Sequence, residues 1–397
     1  MIDGRFLCSK KKETPLLLRF LYFKVVQRDN ISMQKKEKAK QKLTKKQKVV
    51  IIVSVILVGT FLLYFSGGVV AAIVVSNVIF GGRQSDETTL KELRFQKTRD
   101  DYEVLKDRQE VSFFSGKNSL KGYLYEVTSP KGLVIASHGM GSLADGNDAE
   151  YQQYFVAQGY DVFSFDTTAH GRSEGKDLGS VWQGAYDVKA ALEYVSTTPL
   201  KGLPKILVGH SMGAYGVVEA THWDSSVKGV IAFSGFDRPN ELMKQYAARY
   251  VSDFFVTMTG WTFDIGMALK DRGNATLSAF DAMKENQETK YLILQGEKDE
   301  SVPANNVSLY SKLEAENLSN VSSYLIPEMG HERPWISLSS HQATALYENQ
   351  WEALLEEYHH AVPEEIESNF MKGVDLNSCN ELNQEVFQQI ETFLSTI

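Results

Sequence analysis

Hydrophobic and polar positions divide the chain into two unlike parts. Val49 to Phe65, VVIIVSVILVGTFLLYF, carries no charge, and apolar character resumes from Val69 to Phe80 after Ser66-Gly67-Gly68. A bilayer core takes about 20 helical residues, so the stretch is long enough for one span and too short for two with a turn. A buried core helix is the alternative, but such a helix is rarely apolar on every face. From residue 111 the pattern becomes short β-rich runs separated by amphipathic stretches. Val111–Phe114 and Gly122–Val127 predict a strand pair around Gly116-Lys117-Asn118. Strands are also expected at Leu133–Ser137, Asp161–Phe165, Ile206–Gly209, Val230–Phe233, Tyr291–Gln295 and Ser323–Ile326. Helical spacing falls at Glu150–Gln158, Val181–Val195, Met212–His222 and Pro303–Leu318. Strands alternating with helices in this way predict a doubly wound, mostly parallel α/β sheet.

Charge sharpens the division. Residues 1–48 hold fifteen Lys/Arg against four Asp/Glu, whereas 83–397 carry −19 of a chain whose net charge is −8. An acidic domain of that length repels phosphates, so nucleic acid is not an expected partner. Lys35 to Lys48 contains eight lysines and one glutamate immediately before the apolar run. Excess lysine on one flank marks the cytoplasmic side, which puts the N-terminus inside and the acidic domain outside. The apolar run exceeds the core of a cleaved signal peptide and no small-x-small site follows it, so an uncleaved anchor is expected. The organisation read from this is a basic cytoplasmic segment at 1–48, an anchor at 49–80 and one domain at 83–397. Residues 1–32 fit the plan badly, and translation starting at Met33 would give a simpler layout. Two cysteines, Cys8 and Cys379, exclude a disulfide scaffold and a four-cysteine zinc site.

Candidate chemistry begins at Gly209-His210-Ser211-Met212-Gly213. This is G-x-S-x-G with an apolar strand before it and a helix after it, the setting that a nucleophilic serine on a sharp turn requires. The following helix aims its first amides at the site, which makes the Met212 N–H a candidate oxyanion donor. A serine needs a base oriented by a third group, and in this setting the acid and then the histidine follow the serine. Asp299 ends the strand run Tyr291–Gln295, with Glu297 and Glu300 as rivals. His331 directly follows Ser323–Ile326, whereas His341, His359 and His360 fall in a polar helical stretch. His138-Gly139-Met140-Gly141 lets backbone approach a bound carbonyl, so Met140 N–H is the second candidate donor. His138, His170 and Arg172 read as loop-bracing groups. Neither metal-ligand spacing nor a phosphate loop is found, and no cofactor is expected.

His138-Gly-Met-Gly, Asp166…His170-Gly-Arg-Ser, Gly209-His-Ser-Met-Gly, Gly296…Asp299 and Gly330-His331 together resemble the α/β-hydrolase superfamily, most closely its monoacylglycerol lipase and serine aminopeptidase-like branch. The resemblance covers about residues 110–335 and a final helix at Asn383–Thr396. It implies Ser211 as nucleophile, Asp299 and His331 as its partners, and Met140 and Met212 as oxyanion amides. The chain departs from it at Thr168-Ala169, where relatives usually have Arg-Gly, and in an insertion at about 333–382. The helical spacing of Tyr347, Trp351, Leu354, Leu355 and Tyr358 suits that insertion to core packing or to covering the site.

Residues 237–290 occupy the usual place for a helical lid, and Phe254, Phe255, Trp261 and Phe263 are its candidate substrate-lining side chains. These readings converge on a membrane-anchored, extracytoplasmic serine hydrolase of carboxylic esters, with a small-molecule or lipid ester as substrate. Two alternatives stay open. An aminopeptidase or amidase on the same triad would need a lid carboxylate for the substrate amine, for which Glu241, Asp253, Asp264, Asp271 and Glu288 are candidates. A non-catalytic membrane-anchored binding protein is the other.

Overall fold

The computed structural model describes residues 43–397, without 87, 88, 90–92, 147, 250–252, 271 and 272, and without the side chains of 253–255 and 275. The expectations for residues 1–42, including the start of the lysine run and Cys8, lie outside the described residues. The chain forms two units, Met1–Tyr64 and Phe65–Ile397.

The uncharged run lies in one helix, α1 (Lys45–Phe80), unbroken through Ser66-Gly67-Gly68. It is 36 residues long, about 54 Å at 1.5 Å per residue, and long and apolar enough to cross a membrane. In the first unit its side chains are mostly exposed, and Thr60 satisfies its hydroxyl on the Ile56 carbonyl at 2.9 Å, as a span requires.

The second unit is built on an eight-stranded sheet of order β1-β2-β4-β3-β5-β6-β7-β8. The strands are β1 (Gln109–Ser115), β2 (Asn118–Tyr125), β3 (Leu133–Ser137), β4 (Asp161–Phe165), β5 (Lys205–His210), β6 (Val227–Phe233), β7 (Lys290–Gly296) and β8 (Val321–Ile326). β2 pairs antiparallel with β1 and β4, and the remaining pairs are parallel. Every residue of β3, β4 and β5 is buried, because helices cover both faces. Alternate side chains divide between two cores. Leu133, Ile135 and Leu207 join α3 (Gln183–Ser196) and α4 (Met212–Glu219) on one face. Val134, Ala136 and Ile206 join α2 (Ala149–Ala157) and α11 (Gln384–Leu394) on the other.

Between β6 and β7 stand α5 (Pro239–Ala248), α6 (Asp253–Lys270) and α7 (Ala279–Glu285). The C-terminal part of α1 packs beside α6 within this unit. Ala72 and Phe80 are fully buried in the same core as Phe263 and Met267, and Lys270 Nζ lies 2.7 Å from Ser76 Oγ. One expected helix is shorter than its pattern. Pro303–Leu318 yields only α8 (Leu309–Ala315), because the Val307 carbonyl accepts the Asp237 amide at 3.0 Å and Ser308 forms a bridge with Phe236 before capping α8. The stretch after His331 forms α9 (Leu338–Glu357) and α10 (Glu364–Lys372). These close a third core in which Trp351, Tyr347 and Phe370 surround Phe95, and Arg94 lies 4.2 Å over the Trp351 ring. Cys379 is a buried free thiol in that core.

Candidate active site

β5 and β3 are neighbours at the point where strand order reverses, and the loops after both strands meet there. Ser211 follows β5 with φ 53° and ψ −115°, a backbone that non-glycine residues rarely adopt. It is held by its own N–H donating to the Phe233 carbonyl at 2.9 Å and by α4 starting at the next residue. The two motif glycines are steric requirements. A Cβ at Gly213 would lie 2.0 Å from the Ser137 carbonyl oxygen, and one at Gly209 would lie 2.4 Å from the Gly213 carbonyl.

Ser211 Oγ lies 3.0 Å from His331 Nε2, and His331 Nδ1 lies 2.8 Å from Asp299 Oδ2. The three residues come from the ends of β5, β7 and β8, which are parallel neighbours through β6. The Asp299 carboxylate is buried and well supplied with donors. Val302 N–H donates to Oδ1 at 2.7 Å and Gln295 Nε2 to Oδ2 at 3.1 Å. Burial works against its charge, but the hydrogen bond and attraction of His331 outweigh it and hold the carboxyl below its ordinary range. The rivals lie elsewhere. Glu297 accepts the Glu328 amide at 2.9 Å on the surface, and Glu300 is exposed.

His210, between Gly209 and Ser211, donates from Nε2 to the His331 carbonyl at 2.9 Å and packs 5.3 Å from Trp335. Burial pushes its imidazole down to about 3, so it is neutral and a fixed donor. Trp335 Nε1 in turn donates to Glu150 at 3.3 Å, and Glu150 pairs in the interior with Arg333. Sequence reasoning missed His210 and Gln295. A polar residue ending an otherwise apolar strand was the available signal for each.

The amide of Met212 opens α4 and has no partner within the helix. Met140 sits in the turn after β3, where Gly139 comes so near that a Cβ there would lie 3.5 Å from Ser211 Cβ. The adjoining amides are occupied: Gly141 N–H donates to His170 Nε2 at 3.1 Å and Ser142 N–H to the Gly139 carbonyl at 3.2 Å. At the departure Thr168-Ala169, Ala169 has φ 62°, where a glycine is at ease. Thr168 compensates by donating from its amide and hydroxyl to Asp187 at 2.6 and 3.0 Å.

α5 reaches the acid loop, with Arg249 donating to the Glu300 carbonyl and Gln245 accepting from Asn306 at 3.2 Å. Phe263 is buried in the core beside Met243 and Met267. Trp261 is partly exposed and its ring lies 5.6 Å from that of Phe65. The side chains of Phe254 and Phe255 lie outside the described residues. Among the candidate amine-binding carboxylates, Asp264 already pairs with Lys244 at 2.9 Å and Glu241 with Lys312 at 3.4 Å, and Glu288 is exposed. The side chain of Asp253, and Asp271 as a whole, lie outside the described residues. Among the described residues no group of acidic, histidine or cysteine side chains could hold a metal ion.

Residues 128–258 match a family model described as serine aminopeptidase, S33. A monoglyceride lipase homolog of Monkeypox virus is 38% identical over 94 residues, which are 23% of this chain and 33% of that protein. Monoacylglycerol lipase of Mycolicibacterium smegmatis is 36% identical over 95 residues, again 23% of this chain and 33% of the relative. The matched stretch therefore spans about a third of the length of either relative. Among solved structures, an esterase of Pyrococcus furiosus aligns with 65% of this chain and 92% of its own at 16% identity and a TM-score of 0.45. With its mostly parallel eight-stranded sheet and its serine turn between β5 and α4 the chain has an α/β-hydrolase fold, and over residues 128–258 it is similar to the serine aminopeptidase family and to monoacylglycerol lipases.

Proposed function

We propose that this chain is a membrane-anchored serine hydrolase that cleaves carboxylic esters through an acyl-enzyme. The observation that carries the reading is the continuous contact from Ser211 Oγ through the His331 ring to Asp299, at 3.0 and 2.8 Å. His331 takes the Ser211 proton as Oγ attacks the ester carbonyl, and Asp299 holds the tautomer that leaves Nε2 free to accept it. The carbonyl electrons move to oxygen, which the Met140 and Met212 amides stabilise. His331 then protonates the departing alcohol, and water releases the acid by the same route. Of the lid's candidate lining residues, Trp261 is partly exposed and is the described one left to meet an acyl chain, whereas Phe263 is buried in the core. In the membrane, α1 spans with the lysine-rich flank on the cytoplasmic side and the hydrolase domain outside.

Asp264 and Glu241 are already paired with lysines, so an aminopeptidase would have to draw its partner for the substrate amine from Glu288, Asp253 or Asp271. The test uses the full chain in detergent. A fluorophosphonate should label Ser211, and Ser211→Ala should abolish both labelling and hydrolysis of p-nitrophenyl esters. Each added acyl methylene should raise kcat/KM by up to about fourfold until the pocket is full, from roughly 0.8 kcal/mol per methylene. Amino-acid p-nitroanilides turned over faster than the esters, with loss on N-acetylation, would move the chain to the aminopeptidase reading.

A further inference from the structure

The loop Asp166–Ser173, remote in sequence from the serine, contacts the turn that carries Met140. That turn is Gly139-Met140-Gly141-Ser142, closed by Ser142 N–H on the Gly139 carbonyl, with Gly141 at φ 80° as the third residue. Two imidazoles hold it on either side of Met140. His138 Nδ1 lies 2.7 Å from the Gly139 carbonyl oxygen, and His170 Nε2 accepts the Gly141 amide at 3.1 Å.

The geometry assigns His138 and His170 a joint role: they set the two peptide planes that flank Met140, and so aim its amide at the carbonyl oxygen of a bound ester. This rests on the reading of Met140 N–H as an oxyanion donor. In a trans peptide the C=O and N–H point in opposite directions. Holding the Gly139 oxygen with His138 and Ser142 therefore aims the Met140 N–H of the same plane the other way. Holding the Gly141 N–H with His170 fixes the next plane, so the turn cannot flip.

The tautomers follow from the neighbours. His170 Nε2 accepts, so its proton is on Nδ1, which faces the Thr168 carbonyl at 3.0 Å and the Thr167 hydroxyl at 2.9 Å. His138 Nε2 accepts the Thr167 amide at 3.0 Å, so its proton is on the Nδ1 that faces Gly139. The rings pack edge to face with centroids 4.9 Å apart, and both are buried. Burial holds both imidazoles below their ordinary range, which keeps the acceptors unprotonated. The residues just after α1 brace the same loop. Gln84 N–H donates to the Ala169 carbonyl at 2.9 Å, and Ser85 Oγ to the Ser142 carbonyl at 2.9 Å.

The experiment compares His170→Gln, His170→Asn and His170→Leu in the full chain. A glutamine oxygen reaches the position of Nε2, whereas an asparagine oxygen reaches only that of Nδ1. The Asn and Leu variants should lose about tenfold to a hundredfold in kcat on p-nitrophenyl butyrate, with KM changed less than about twofold. Affinity for a trifluoromethyl ketone, whose adduct places an oxyanion on the donors, should fall by the same factor. His170→Gln should recover most of both. Equal losses in all three variants, or losses that appear in KM and follow Tm, would overturn the assignment. Met140→Pro, which lacks the amide hydrogen, tests the underlying reading separately. If it keeps full kcat, Met140 is not a donor, whatever the His170 series shows.

Discussion

Gly68 of α1 and Thr262 of α6 are in such close contact that a Cβ at Gly68 would lie 1.8 Å from the Thr262 hydroxyl. One helical turn on, a Cβ at Gly266 would meet that of Ala72 at 2.6 Å, and another turn on Ser76 meets Lys270. The two helices therefore run parallel at a constant sequence offset, with small residues at four-residue spacing letting the backbones approach. Gly68→Leu or Gly266→Leu should force them apart. Overpacking of this kind costs about 1–3 kcal/mol and should lower Tm by several degrees in a fixed detergent. A chain beginning at Arg83, which loses Ala72 and Phe80, should be less stable than one beginning at Phe65. Equal melting of both shortened chains would show that the C-terminal part of α1 is not a member of the core.

The acid is distinguished from its neighbour by position. Asp299→Asn removes the charge that holds His331 Nδ1–H and should lower kcat by about three to four orders of magnitude while leaving Tm little changed. Glu297→Gln, whose carboxylate accepts the Glu328 amide on the surface, should stay within a few-fold of wild type. The reverse ranking in steady-state kinetics would reassign the acid.

Glu219 on α4 is fully buried, and among the described residues neither carboxylate oxygen has a hydrogen-bond partner, while His222 Nε2 lies 3.8 Å away. Burial, with the nearby charges of Asp237 and Asp281, pushes its carboxyl up to about 8. A raised carboxyl stabilises the folded state while it is protonated. That stability is present below the ordinary carboxyl range and is lost as pH rises toward 8. The loss is on the order of 5 kcal/mol. Glu219→Gln should flatten this decline, seen as a Tm gain that grows from pH 5 to pH 8. A gain that is the same at both pH values would mean that Glu219 does not titrate in this window.

Topology has its own test. With the lysine-rich flank inside, protease added to intact spheroplasts should digest residues 83–397. A protected domain would reverse the orientation of α1.

The extent of the fold that could be read from sequence followed from where each element draws its stability. β3 and β4 have the expected boundaries, because a strand buried on both faces must be continuously apolar and is bounded by polar turns. The serine turn could be read because glycine, serine and glycine are steric demands of one local bend. The expected helix Pro303–Leu318 is shortened because Val307, Ser308 and Leu309 pair with Gly235, Phe236 and Asp237 after β6, a contact between distant segments that periodicity does not register. Nor does periodicity register Gln295, His210 and His170, whose partners lie on other strands and loops. The amino-acid order by itself determined an apolar helix, a mostly parallel sheet and which serine, acid and histidine to compare. Tertiary structure alone decided that His331 Nε2 lies 3.0 Å from Ser211 Oγ and that α1 shares a core with α6. The physical reason is range: strand and turn preferences act within a few residues, whereas hydrogen bonds and packing between distant segments exist only once the sheet has brought them together.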